Sequence, residues 1–226
     1  MTLSPTEQRK AREAEQRRKA IIKIVRKLIR KGGLEEISLR KVAELAGYST
    51  TVVYTLFGDK ASLITQAMDE DLLELTRLIQ LAAAQAEPGW PRLRALGRAY
   101  VRFGIEHPDE YAFVFMTRRP HAPNEAARVQ HGNPAQDPYA CARQLVSETA
   151  DLGLLSPHPD DIDLMVQILW EGIHGLTARR LVMGEDDQWV PSMPAEQHLD
   201  AMLDVLCAGL AQRFPPRHNL THAPNP

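Results

Sequence analysis

Cysteine is scarce in this chain of 226 residues. The two present, Cys141 and Cys207, form no C-x-x-C pair, so neither a disulfide framework nor a zinc site is indicated. No run approaches the roughly 18 uninterrupted apolar residues that a membrane helix needs. The N-terminus is polar and basic where a secretory leader would be apolar, so a cytoplasmic location is expected and the Asn219-Leu220-Thr221 sequon carries no weight. Strand-like alternation of any length is missing, as are internal repeats and low-complexity tracts. The chain also lacks a G-x-S-x-G elbow, a phosphate-binding glycine loop and an H-E-x-x-H motif. Glu171-x-x-His174 matches half of a di-iron helix motif, but that site needs a second such pair and this chain has none. No catalytic residue, metal or cofactor is nominated.

What remains is a globular composition, 44% hydrophobic and 25% charged, with enough apolar residues for a sizeable core. The net charge of −2 hides a polarised distribution: residues 1–60 hold 14 Lys and Arg against 7 Asp and Glu, while residues 61–226 hold 13 against 22. A basic segment on an acidic body suits an anionic partner at one end, nucleic acid first and an acidic membrane second. A membrane-surface helix would need a strongly apolar opposite face, and the first helix has only an ordinary core stripe. A solvated charged face is the plain alternative.

Helical signals follow one another along the whole chain. Ser4-Pro5-Thr6-Glu7 has the form of a capped helix start, and Ile21, Ile22, Val25, Leu28 and Ile29 form its apolar stripe before Gly32-Gly33 ends it. Ser38 can cap a short helix from Leu39 to Ala46, Ser49 another from Thr50 to about Phe57, and Asp59 a long one towards Ala84. Pro88-Gly89-Trp90-Pro91 reads as loop, and further helices are expected through Leu93, Leu96, Tyr100 and Phe103 up to His107-Pro108, through Tyr111–Met116, and over about 137–152, 159–183 and 195–214; residues 118–138 read as loop with a helical turn or two. The fold class is all-α, about nine helices. The domains expected are a helix-turn-helix over 1–60, a helical body over 61–214 and a disordered tail over 215–226.

Residues 39–57 satisfy the packing demands of a helix-turn-helix together. Two short helices must cross closely over a sharp turn and share an apolar face. Ala43 is the small residue at the crossing, Gly47 supplies the positive backbone dihedral, and Val42, Ala46, Tyr48, Val53 and Leu56 fill the inward positions. The free N–H groups at the start of the Thr50 helix favour a phosphate, helped by the Ser49 and Thr50 hydroxyls. Thr50, Thr51 and Thr55 are nominated for base edges in the major groove, where hydroxyls and methyls can be read. Arg40 and Lys41 are weaker phosphate candidates, and the run Arg9, Lys10, Arg12, Arg17, Arg18, Lys19 either tracks phosphates, places an arm in the minor groove or is a solvated face.

This region resembles the TetR family of repressors. The resemblance rests on Gly33-Leu34, Ala46-Gly47-Tyr48-Ser49, Tyr54-Thr55-Leu56-Phe57 and Lys60-Ala61-Ser62-Leu63, and covers about residues 16–65. It implies that Tyr54 and Lys60 contact the DNA backbone. Thr51 departs from the family, where glycine or proline is common, and Leu56 stands where an aromatic or histidine often makes a polar contact; Leu56 is expected to pack instead.

The resemblance further implies a C-terminal effector and dimerisation domain, with two subunits joined through the last two long helices, about 160–183 and 195–213. Tyr100 to Tyr111, with Trp170-Glu171-Gly172-Ile173-His174-Gly175, resembles the WHG subgroup of these domains. The candidate effector lining is Tyr100, Phe103, Phe113, Met116, Trp170 and His174, suited to a small apolar or aromatic molecule. Gly172 and Gly175 inside a helix imply a close approach on that face. The function expected is a homodimeric regulator of double-stranded DNA, a repressor released from a palindromic operator by its effector. The alternative is a helical carrier or enzyme with a non-functional DNA-binding head.

Overall fold

The structure is a computed structural model describing residues 4–118, 120–123, 126–183, 189–191 and 193–216. The expected tail over 215–226 therefore lies outside the described residues from 217 onward. Among the described residues there are nine α-helices, one short 3₁₀ turn and no strand. The helices are α1 (Pro5–Gly32), α2 (Leu39–Ala46), α3 (Thr50–Phe57), α4 (Lys60–Ala84), α5 (Trp90–Glu106), α6 (Pro108–Phe115), α7 (Pro138–Asp151), α8 (Asp161–Met183) and α9 (Ala195–Arg213), with the turn Leu34–Glu36 after α1. None of them is long and apolar enough to cross a membrane.

Local chemistry accounts for the helix boundaries. Ser4 Oγ accepts the Glu7 N–H while Glu7 returns a carboxylate to the Ser4 N–H at 2.8 Å, so two of the orphan donors of α1 are satisfied. Ser38 Oγ takes the Lys41 N–H at 3.2 Å and Ser49 Oγ the Val52 N–H at 3.3 Å. Gly47 closes α2 at φ 71°, ψ 26°, the left-handed region that glycine enters at least cost. Asp137 caps α7 by accepting the N–H of Tyr139 at 2.9 Å, with Pro138 in the first turn.

The chain divides into two compact units, Met1–Asp71 with Asp109–Val129, and Leu72–Pro108 with Gln130–Pro226. In the first, Ile21, Ile22, Val25 and Leu28 of α1 bury against Leu39, Val42 and Ala43 of α2, Val53 and Phe57 of α3, and Leu63, Ile64, Ala67 and Met68 of α4. Phe113 of α6 enters the same core and Val114 packs on it. Asp69, fully buried, holds the return segment by accepting the backbone N–H groups of Arg128 at 2.7 Å and Val129 at 3.4 Å.

In the second unit α8 packs against α5, α7 and α9. Buried along it are Met165, Val166, Leu169, Ile173 and Leu176, and the elements it packs on bury Leu93, Leu96, Val101 and Phe103 of α5, Leu145 and Val146 of α7, and Leu199, Leu203 and Leu210 of α9. Gly97 lets α5 and α9 approach: a Cβ there would lie 2.5 Å from Leu203 Cδ2. Gly172 does the same for α8, with Leu206 Cδ1 2.7 Å away, whereas Gly175 has nothing within 4 Å.

Candidate nucleic-acid interface

The helix α3 is divided sharply by burial. Val53 and Phe57 are buried and Leu56 is half-buried against the core, while Thr50, Thr51, Tyr54 and Thr55 are exposed along one strip. Spacings of one and four residues keep those four side chains on the face opposite the core. Tyr54 is 54% exposed, a large ring held at the surface by a helix whose other face is anchored. Ser49 and Arg40 are also exposed, and Lys60 is half-buried at the start of α4.

Polar chemistry on this strip is partly committed. The Ser49 hydroxyl caps its own helix, and Thr55 Oγ1 donates to the Thr51 carbonyl at 2.8 Å. Thr55 therefore presents lone pairs and a methyl outward, its proton being engaged. Asp59 beside Lys60 caps α4 through the Ser62 N–H at 2.7 Å, which holds its carboxyl below the usual aspartate range. Lys41 is paired with Glu36, which lowers the Glu36 pKa and takes that lysine's charge out of play.

Half of the basic run on α1 lies beside acidic groups. Arg9 and Arg17 both lie within 4 Å of Glu13, at 3.8 and 3.7 Å, and Arg18 lies 3.9 Å from Glu15. Arg18 also stacks 4.9 Å over the Phe57 ring and donates to Gln66, so its role is to brace α1 against α3 and α4. Lys10, Arg12 and Lys19 are exposed.

Three features of this unit escape sequence reading. Asp71 is 4% exposed and receives the Arg26 guanidinium; burial pushes its pKa up to about 7, against the pull of Arg26. Its Oδ2 and the Arg26 Nε are buried without a partner among the described residues, beside a cavity of about 10 Å³ lined also by Arg30, Asp109 and Glu110. Arg128 links Glu15 at 3.1 Å with Glu70 at 3.2 Å. The signal available was a row of three acidic residues, Asp69-Glu70-Asp71, interrupting the apolar run of α4.

The six nominated effector residues divide between the units. Phe113 is core of the first, and Met116, also there, is 44% exposed. In the second, Phe103 is buried and packs on His107 at 5.3 Å between ring centroids. Tyr100, Trp170 and His174 come together: Trp170 Nε1 donates to Tyr100 Oη at 3.0 Å, and that hydroxyl lies 3.2 Å from His174 Nδ1. Burial lowers the His174 pKa, which favours a neutral ring able to accept the tyrosine proton at Nδ1. Among the described residues no group of His, Cys, Asp or Glu is placed to hold a metal.

Comparison with known proteins agrees with this geometry. Residues 21–67 match the family model described as bacterial regulatory proteins, tetR family, and residues 93–206 the one described as tetracyclin repressor-like, C-terminal domain. No curated protein matches the chain. Among solved structures it resembles a protein with unknown function from Rhodococcus sp. RHA1, with 24% identity, a TM-score of 0.66, and 87% of this chain and 96% of that one covered. It also resembles a TetR family transcription regulator from Marinobacter aquaeolei VT8, with 17% identity, a TM-score of 0.64 and coverage of 89% and 98%. A third is the fatty acid degradation regulator FadR from Bacillus halodurans, with 15% identity, a TM-score of 0.62 and coverage of 93% and 98%. With an exposed polar strip on a braced, capped helix and family matches over both halves, this chain belongs to the TetR family and is a DNA-binding transcriptional regulator.

Proposed function

We propose that the protein is a homodimeric repressor that holds a palindromic operator in double-stranded DNA and is released by a small apolar or aromatic effector. The observation that carries this reading is the exposed strip Thr50, Thr51, Tyr54, Thr55 on a helix whose opposite face is locked into the core. Thr50, Thr51 and Thr55 read base edges in the major groove. Ser49, Tyr54, Lys60 and Arg40 engage phosphates, with the N-terminus of α3 adding its dipole.

One such helix reads only a few base pairs, so two must meet successive grooves about 34–36 Å apart. The second copy joins through α8 and α9, within 160–183 and 195–213. Leu164, Ile168 and Val182 of α8 and Val205 of α9 are exposed apolar side chains that support this reading, and exposed Gly175 leaves room for a neighbouring backbone. The effector lies against Tyr100, Phe103, Trp170 and His174, of which Trp170 keeps 38% of its surface exposed. It acts by binding the released form more tightly than the DNA-bound form.

Selection of bound sites from random duplex DNA with the purified protein tests the reading. A two-fold symmetric site is expected, and absence of enrichment would refute it.

A further inference from the structure

The second unit contains a cavity apart from the Tyr100 cluster. It has a volume of about 160 Å³ and is formed by α5, the end of α8 and the start of α9. Three arginines, Arg98, Arg102 and Arg180, share its wall with Val101, Ile105 and Leu199. A lining that alternates guanidinium groups with branched aliphatics suits neither water nor a purely apolar guest.

The charges are not equally available. Arg98 is paired with Asp200 and lies 3.7 Å from Glu196, so its charge is answered within the protein. Arg180 donates Nη2 to the Met193 carbonyl at 3.1 Å, which fixes the plane of its guanidinium, while its buried Nε has no acceptor among the described residues. A buried donor left unpaired is costly and calls for a partner. Among the described residues Arg102 has no acidic partner. Glu106 and Glu196 also line the cavity, but among the described residues neither forms an ion pair with Arg102 or Arg180. Burial lowers the pKa of nearby His198, and Arg180 and Arg179 lower it further, in keeping with a positive field here. Val101 and Leu199 are buried, but Ile105 is 46% exposed beside them, so the apolar wall faces open space.

We propose that this cavity binds an amphipathic monoanion, a carboxylate with a short alkyl tail, its head on Arg102 and Arg180 and its tail along Val101, Ile105 and Leu199. The two guanidinium groups offer charge-assisted hydrogen bonds to the carboxylate. The volume has room for on the order of ten waters, and a chain of about eight carbons with its carboxylate replaces that many atoms.

Isothermal titration calorimetry of the full chain with octanoate, octanol, octylammonium and acetate tests the proposal. Saturable binding of octanoate to one site per chain is expected, about tenfold or more tighter than octanol or acetate, since tail and head each contribute. Octylammonium is expected not to bind. Arg102→Gln with Arg180→Gln should weaken octanoate by about tenfold or more. The proposal is overturned if octanoate fails to bind, if octanol or octylammonium binds as tightly, or if the double variant binds octanoate like the native protein. The comparison of head groups on native protein decides the matter even where the variant does not fold.

Discussion

Asp71 is the residue with the most to say about pH. Its carboxyl is buried beside Glu70, Glu110 and Asp109, with Arg26 and Arg30 as the nearby cations, and its pKa is raised from 3.8 to about 7. Because the folded state holds this proton up to about pH 7 and the unfolded chain releases it near pH 4, the contribution to stability is fully present at low pH. It is lost as pH rises from about 4 through 7, with a slope of at most about 1.4 kcal/mol per pH unit. Urea denaturation between pH 5 and 8 should show this decline, and Asp71→Asn should flatten it. A native protein whose stability does not fall over that interval would count against the assignment. If the proposed strip holds DNA, Tyr54→Phe with Lys60→Ala should weaken binding to all sequences alike. Loss of one lysine–phosphate contact should reduce the slope of log affinity against log salt by about 1. A mobility-shift series at several salt concentrations reads both effects.

At the level of elements, the turn between α2 and α3 depends on a backbone that only one residue adopts cheaply. Gly47→Ala forces a Cβ into the left-handed region, where φ is 71°, and should cost about 1–2 kcal/mol in chemical denaturation, with Asn tolerated better. The packing of α5 on α9 makes a comparable demand for a different reason. Gly97→Ala would gain helix propensity of about 1 kcal/mol, but its Cβ meets Leu203, itself only 1% exposed and without room to move. Overpacking of this kind costs about 1–3 kcal/mol, so a net loss of stability is expected in a urea titration. The two neighbouring glycines of α8 behave differently: Gly172 is explained within the chain by Leu206, and Gly175 is not. A stripe read from sequence as one close approach is therefore two, one occupied by α9 and one left open for the proposed second subunit.

For the whole molecule, function is proposed to require two copies. Val205 is 69% exposed on α9, and Val205→Lys places a charge where the partner would pack. Sedimentation velocity should then report a monomer, and operator affinity should fall by about 100-fold or more as the second reading head is lost. A dimer that persists would move the interface elsewhere.

Helix positions were legible in the sequence because their signals are local. Ser4, Ser38, Ser49, Asp59 and Asp137 cap with atoms three residues away or fewer, Gly47 sets its own dihedral, and a stripe such as Ile21, Ile22, Val25, Leu28 declares a face by spacing alone. The strip on α3 follows from the same arithmetic, since naming the inward residues leaves Thr50, Thr51, Tyr54 and Thr55 outside. What no local rule carries is which distant segment completes a core. Phe113, nominated as effector lining, lies in the core with residues of α1–α4, and Asp69 and Asp71 are met by Arg128 and Arg26 from 59 and 45 residues away. The compensation of Arg9, Arg17 and Arg18 by glutamates one turn off was within reach of the sequence, but the stacking of Arg18 on Phe57 was not. Sequence by itself determined the helices, the turn and the face that α3 leaves exposed, because these depend on neighbours along the chain. Tertiary structure alone decided which charges are spent within the protein and which remain for a ligand, because pairing and burial are properties of segments brought together from afar.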